Sequence, residues 1–166
     1  MKREESIKLM NMAVAEEMTA LNQYMYFHFQ CDDQGYDLLA SIFKRFAIVE
    51  MIHVEKFAER ILFLEGDVEM IPTKNVKKIH DVKEMLEYAK ELEDTTVQHY
   101  NEWAKICGQN NDAISKTLFE DILAEEENHY DDFDTELGHL ENFGDKYLAL
   151  QTLERSKNVA HGKKED

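Results

Sequence analysis

Two acid–imidazole motifs, 76 residues apart, constrain the fold of this chain more than any other feature. Glu50-x-x-His53 lies in the apolar pattern of a long helix, and Glu126-x-x-His129 repeats it in a second such pattern. The same shift relates further pairs of residues: Glu17 and Glu93, Tyr24 and Tyr100, Cys31 and Cys107, Phe43 and Phe119, Phe57 and Phe133. We therefore predict two copies of one helical hairpin, related by a pseudo-two-fold axis.

The composition favours long, uninterrupted helices. The 166 residues, about the size of one domain, include only six glycines and one proline, Pro72. Glycine stops and capping acids, among them Asp81 and Asp112, bound the predicted helices. These helices cover approximately residues 4–33, 37–64, 82–108, 113–141 and 145–155. We assign residues 1–155 to a single domain and expect 156–166 to form a mobile C-terminal tail.

The connection between the second and third helices, B and C, is unusually long. A helix of about 28 residues measures roughly 42 Å, and residues 65–80, if extended, span roughly 50 Å. The connection can therefore cross the whole bundle and make B and C parallel. The predicted fold is all-α, a four-helix bundle with a long crossover and a short fifth C-terminal helix. In this topology Cys31 and Cys107 lie roughly 40 Å apart, so we expect two free thiols.

Helical wheels place acidic and imidazole groups on the buried faces of these helices. The groups that share the apolar stripes are Glu17, Glu50, His53, Glu93, Glu126 and His129. A buried carboxylate without a partner costs several kcal/mol or acquires a raised pKa. No Lys or Arg lies at the centre of the stripes, and Lys90 lies only at a margin. Two divalent cations would balance the four carboxylates, and carboxylate with imidazole suits iron or manganese.

These motifs closely resemble those of bacterioferritins, which belong to the ferritin-like di-iron proteins. The similar segments are EMTALNQY (17–24), EMIHVEKFAERILFLEG (50–66), EML with LE (84–93) and EEENHYDDFDTEL (125–137). The resemblance implies a ferritin-like bundle with two iron ions in each subunit. It also implies that Glu17 and His53 are terminal ligands of one iron, that Glu93 and His129 are terminal ligands of the other, and that Glu50 and Glu126 bridge them.

The resemblance further implies haem binding, assembly and activity. In bacterioferritins the methionine that matches Met51 ligates haem, one residue from each subunit across a two-fold axis. Met51 follows Glu50 directly and so lies about 100° from the core stripe; the alternative is an interface methionine that fills a gap. The implied protein is a homo-oligomeric shell of 24 subunits built from two-fold dimers. It would act as a ferroxidase that oxidises Fe²⁺ with O₂ or H₂O₂ and stores ferric mineral, with a ferredoxin-type reductant for iron release.

Some residues depart from the family pattern or allow more than one role. Some bacterioferritins carry a His and an Asp before the bridging glutamate, where this chain has Arg45 and Val49. Neither residue can bind iron on the inner surface of the shell, which leaves the iron route to the cavity open. We predict that Tyr24 and Tyr100 pack in the core with their hydroxyls bonded to ligand carboxylates. A redox role for Tyr24 is the alternative.

Charge and hydropathy exclude several functions. The formal net charge of −16 disfavours nucleic-acid binding and suits a surface that attracts cations. The two cysteines form no C-x-x-C motif, which excludes a zinc ribbon or a rubredoxin-type iron site. The N-terminal segment does not resemble a signal peptide, and no apolar run approaches 18 residues. We therefore expect a cytoplasmic protein without membrane partners.

Three other functions are alternatives to iron storage. A haem-free di-iron oxidase or peroxidase of rubrerythrin type usually adds a C-x-x-C iron domain, which is absent from this sequence. A DNA-protecting mini-ferritin places its iron site between subunits, whereas here one chain supplies a complete ligand set. A purely structural helical bundle leaves the duplicated buried acids unexplained.

Overall fold

The computed structural model describes residues 3–162 and contains five α-helices. Their bounds are α1 Arg3–Asp33, α2 Asp37–Phe63, α3 Val82–Gln109, α4 Ala113–Phe143 and α5 Asp145–Ala160. The described residues include no β-strand. The predicted all-α class and the ferritin-like four-helix bundle with a fifth helix are confirmed.

The predicted capping acids start the two helices of the second hairpin. The Asp81 carboxylate accepts a hydrogen bond from the backbone amide of Glu84 at 3.0 Å. The Asp112 carboxylate accepts one from the amide of Ser115 at 3.3 Å. Each bond satisfies an amide that has no partner within the first turn of its helix. At the end of α4, Gly144 adopts a positive φ of 53°, a conformation that favours glycine.

The crossover between α2 and α3 runs alongside α1 in the same direction as that helix. Near its start, the amide of Glu69 donates to the Asn11 side chain at 2.8 Å. Farther along, the amide of Lys77 donates to the Gln23 side chain at 2.8 Å. At its end, the Gln34 side chain donates to the carbonyl of His80 at 3.0 Å. The chain thus returns to the end of the bundle where α2 began, which makes α2 and α3 parallel, as predicted.

Helix α5 is longer than the sequence indicated. It continues to Ala160, so residues 156–160 of the predicted tail are helical, whereas 163–166 lie outside the described residues. The Gln151 side chain accepts a hydrogen bond from the amide of Leu39 at 3.0 Å. Arg155 donates to the carbonyl of Asp32 at 2.7 Å and contacts the Asp37 carboxylate at 3.2 Å. These contacts hold α5 against the end of α1 and the start of α2.

The apolar core forms two clusters. One contains Cys31 among residues of all five helices, and the other contains Cys107 with residues of α1 to α4. Both cysteines are buried, free thiols, which confirms the predicted absence of a disulfide between them. No helix within residues 3–162 is long and apolar enough to cross a membrane.

Candidate metal centre

All six predicted ligand residues meet in the interior of the bundle. Helix α1 supplies one of them, α2 two, α3 one and α4 two: Glu17, Glu50, His53, Glu93, Glu126 and His129. No side chain in this group is more than 8% exposed. Each helix presents them on its apolar face, so the residues that form the core also fix the positions of these polar groups.

The six residues form two overlapping sets of metal-binding geometry. One set consists of Glu17, Glu50, His53 and Glu126, and the other of Glu50, Glu93, Glu126 and His129. Within each set one ligand atom per residue lies within 4.8 Å of all the others. Glu50 and Glu126 belong to both sets. This arrangement suits two neighbouring cations that share two carboxylates.

The distances within the cluster leave acceptor atoms without donors. The Nδ1 atom of His53 lies 3.0 Å from Glu50 Oε2 and 2.9 Å from Glu126 Oε1. The Nδ1 atom of His129 lies 3.1 Å from both Glu50 Oε1 and Glu126 Oε2. A single Nδ1 atom carries at most one proton, and the buried Oε1 atoms of Glu50 and Glu126 have no hydrogen-bond partner. Buried carboxylate oxygens in this state fit cation binding.

Burial makes the cluster hold protons when it holds no cations. Burial, together with the charge of Glu93, raises the pKa of Glu50 to about 7. Burial also raises the pKa of Glu93 and of Glu126, each further affected by a neighbouring carboxylate. Burial opposes a charged imidazole, but hydrogen bonds to Glu126 and Glu50 raise the pKa of His129 to about 11. Cations that enter must therefore displace protons.

Two tyrosines donate hydrogen bonds, across the pseudo-two-fold axis, to the two carboxylates that belong to only one ligand set each. The Tyr24 hydroxyl donates to Glu93 Oε1, and the Tyr100 hydroxyl donates to Glu17 Oε1. The predicted bond between tyrosine hydroxyl and carboxylate is confirmed. Each tyrosine bonds the glutamate of the other hairpin, so the bonds also hold α1 and α3 together. Both pKa values are raised by burial and by the nearby carboxylates, which keeps the hydroxyls protonated.

The sequence interpretation missed a contact behind one imidazole. The Nε2 atom of His53 lies 3.0 Å from Glu125 Oε2, and Lys56 Nζ lies 2.9 Å from Glu125 Oε1. The other imidazole differs, because the His129 ring stacks on Phe46 with 4.3 Å between centroids. Glu125 stands in a run of three glutamates, so its role is not apparent from composition. The 76-residue shift gives no signal for it either, since Val49 occupies the equivalent position.

The outer face of α2 presents apolar side chains to solvent. Met51 is 53% exposed, and its neighbours Ile48 and Ile52 are 45% and 40% exposed. This exposure agrees with the predicted position of Met51 away from the core stripe. Arg45, also exposed, forms an ion pair with Asp132 at 3.2 Å.

The chain is similar to bacterioferritins. The family model described as a ferritin-like domain matches residues 7–143. A bacterioferritin of Desulfovibrio desulfuricans is 37% identical over 143 residues, covering 86% of this chain and 80% of that protein. A bacterioferritin of Brucella melitensis is 34% identical over 140 residues, covering 84% of this chain and 87% of that protein.

Two solved structures share the fold. The Desulfovibrio desulfuricans bacterioferritin, described with its diiron site in different catalytic states, superimposes with a TM-score of 0.88 at 36% identity. The match covers 90% of this chain and 87% of that one. The Rhodobacter capsulatus bacterioferritin superimposes with a TM-score of 0.86 at 29% identity, covering 90% and 93%. That structure has a metal-free dinuclear site and a haem iron in a crystallographic special position.

Proposed function

Since this chain belongs to the bacterioferritin family of iron-storage proteins, we propose that it oxidises Fe²⁺ to Fe³⁺ at an intrasubunit site and stores the product as ferric mineral. The observation that carries the proposal is the pair of overlapping ligand sets that share Glu50 and Glu126. A purely structural bundle has no use for four buried carboxylates that face two imidazoles.

The chemistry of the cluster suits two Fe²⁺ ions as substrate. Four carboxylates carry four negative charges, and two Fe²⁺ ions carry four positive charges, so entry of both neutralises the interior. In the proposed assignment Glu17 with His53 and Glu93 with His129 are terminal ligands, while Glu50 and Glu126 bridge. The protons that the imidazoles hold before metal entry are released as Nδ1 binds.

Pairing the two Fe²⁺ ions gives a two-electron reaction. Two Fe²⁺ and two protons convert O₂ to H₂O₂, or one H₂O₂ to two molecules of water, and two Fe³⁺ result. Because both electrons leave together, the site limits one-electron products of oxygen. The cluster is buried, and the tyrosine bonds to Glu17 and Glu93 hold the terminal carboxylates in position.

We also propose that the protein binds haem at Met51 and assembles into a shell. The exposed thioether of Met51, flanked by Ile48 and Ile52, fits a haem that a second subunit covers across a two-fold axis. Haem bound there supplies electron transfer for release of stored iron, with a ferredoxin-type protein as the donor. Dimers of this kind would assemble into the 24-subunit shell that the family resemblance implies. The exposed Met51 side chain and the exposed apolar residues beside it support this proposal.

The test combines oxidation kinetics with particle size. We would add Fe²⁺ to metal-free protein under O₂ or H₂O₂, follow ferric absorbance by stopped flow, and measure particle mass by sedimentation. Rapid oxidation of two Fe²⁺ per subunit, followed by mineral growth in particles of 24 subunits, is the expected result. Rapid peroxide consumption without mineral growth would instead support the haem-free oxidase or peroxidase, of rubrerythrin-like or mini-ferritin-like kind.

A further inference from the structure

The two imidazoles of the metal centre are held in different ways. His53 is completely buried and has Glu125 behind it, on the side of the ring away from the carboxylate cluster. Glu125 is 43% exposed and also forms an ion pair with Lys56, one turn along α2 from His53. Two helices therefore contribute to a chain of contacts, from Lys56 through Glu125 to His53, that ends at the metal centre.

This chain of contacts fixes the chemical state of His53. A carboxylate can only accept hydrogen bonds, so Nε2 of His53 must carry the proton that bonds Glu125. Nδ1 is then the atom left to face the carboxylate cluster. A carboxylate partner on the far nitrogen also orients the ring and makes the imidazole a stronger metal donor.

The second imidazole has no equivalent partner in the sequence. Under the 76-residue shift, Glu125 corresponds to Val49 and Lys56 corresponds to Asp132. A valine side chain accepts no hydrogen bond, and Asp132 is paired with Arg45. His129 is held instead by stacking on Phe46. The pseudo-two-fold symmetry of the ligands therefore does not extend to the groups behind them.

We infer that Glu125, braced by Lys56, is a positioning residue that makes the Glu17–His53 half of the centre the tighter of two metal positions. Divalent cations then fill the centre in order, first beside His53 and afterwards beside His129. The inference rests on the proposed metal centre and adds to it an order of filling. It also assigns the more easily released cation to the His129 side.

Binding of Co²⁺ to the metal-free protein tests the order without any oxidation. Co²⁺ bound by imidazole and carboxylate gives visible absorption bands, so the two steps can be followed separately. Wild type should bind two Co²⁺ per subunit, one more tightly than the other. Glu125→Gln should weaken the tighter step about 10- to 100-fold and leave the weaker step unchanged. Lys56→Met should weaken the same step by a smaller factor.

Glu127→Gln is the matched control, because it removes the same charge at an exposed neighbouring position on α4. If Glu125→Gln binds Co²⁺ as Glu127→Gln does, or if both steps weaken equally in Glu125→Gln alone, the inference is wrong. Thermal unfolding of each variant identifies any loss of Co²⁺ binding that results from misfolding. If Glu125→Gln misfolds, Co²⁺ binding by Lys56→Met tests the inference independently. A wild type that fails to bind two Co²⁺ would instead contradict the proposed metal centre itself.

Discussion

The two faces of helix α2 depart from ordinary burial in opposite directions. The inner face buries Glu50 and His53, which are ionisable, whereas the outer face leaves Ile48, Met51 and Ile52 exposed to solvent. Ionisable groups are rarely buried without partners, and clustered apolar exposure marks a surface that another molecule covers. One helix can therefore carry two faces of unusual composition. The buried polar face suits cations, and the exposed apolar face suits an apolar partner.

The largest expected effect, on the rate of Fe²⁺ oxidation, follows from removal of a shared carboxylate. Glu50→Ala or Glu126→Ala removes a carboxylate that belongs to both ligand sets and should slow Fe²⁺ oxidation by at least about 100-fold. Mutation of a residue that only hydrogen-bonds a metal ligand already lowers metal affinity or activity by about 10- to 100-fold. Stopped-flow absorbance measures the rate. Glu55→Ala, an exposed glutamate on the same helix, is the control and should oxidise Fe²⁺ normally. Wild-type rates in both bridge variants would refute the assignment.

The next test addresses the outer face. Met51→Leu keeps the volume and apolarity of the side chain but removes its sulfur, so subunit pairing should survive while haem binding is lost. Visible spectra after addition of haem, with sedimentation for the dimer, measure both. Met12→Leu is the control: it changes a different exposed methionine, on α1, and the variant should bind haem as wild type does. An unchanged Soret band in Met51→Leu would show that another residue ligates the haem.

A smaller effect is expected from pH in the metal-free protein. The folded state raises the pKa of Glu50 to about 7 and that of His129 to about 11, so it holds more protons than the unfolded chain. The free energy of unfolding should therefore fall as pH rises, by on the order of 3 kcal/mol between about 4.5 and 7 through Glu50. Above about 6.5 it should fall further through His129, by on the order of 6 kcal/mol in all by pH 11.

Denaturation with guanidinium in the presence of a chelator, at several pH values from 5 to 9, measures this dependence. Glu50→Gln should reduce the lower part of the slope, because a neutral amide has no proton to lose, while Glu93 and Glu126 keep their share of it. A stability that is independent of pH over this range in the wild type would contradict the raised pKa values.

The smallest expected effect separates packing from redox chemistry at Tyr24. Tyr24→Phe removes the hydroxyl bonded to Glu93 and should cost about 1 kcal/mol of stability and only a few-fold in oxidation rate. Tyr100→Phe removes the equivalent bond to Glu17 and is the matched control. A much greater loss of rate in Tyr24→Phe than in Tyr100→Phe would support the redox alternative.

Much of the fold and of the candidate metal centre was predictable because the information is local and repeated. Asp81 and Asp112 precede long apolar patterns and cap the predicted helices. The duplicated Glu-x-x-His motifs, each with a glutamate on an apolar face upstream, predicted which six side chains would meet. Helical periodicity alone directs these groups inward, so no long-range information was needed to bring them together.

The features that escaped prediction depend on contacts between distant segments. The length of α5 depends on Gln151 and Arg155 meeting the start of α2, more than 100 residues away in the chain. Tyrosine–carboxylate bonds were predicted, but which glutamate each tyrosine bonds depends on how α1 and α3 pack against each other. Glu125 lies in a polar run where neighbouring glutamates look alike, and only the position of His53 in space distinguishes it.

The division of the ligand sets between the hairpins has a consequence for folding. Short turns join α1 to α2 and α3 to α4, so each hairpin can form from local contacts, whereas docking of the hairpins requires closure of the long crossover. Neither hairpin contains a complete set, since the first set needs Glu126 and the second needs Glu50. On the proposed assignment, a newly synthesised chain completes neither iron site until α4 has docked, which would confine iron oxidation to folded subunits.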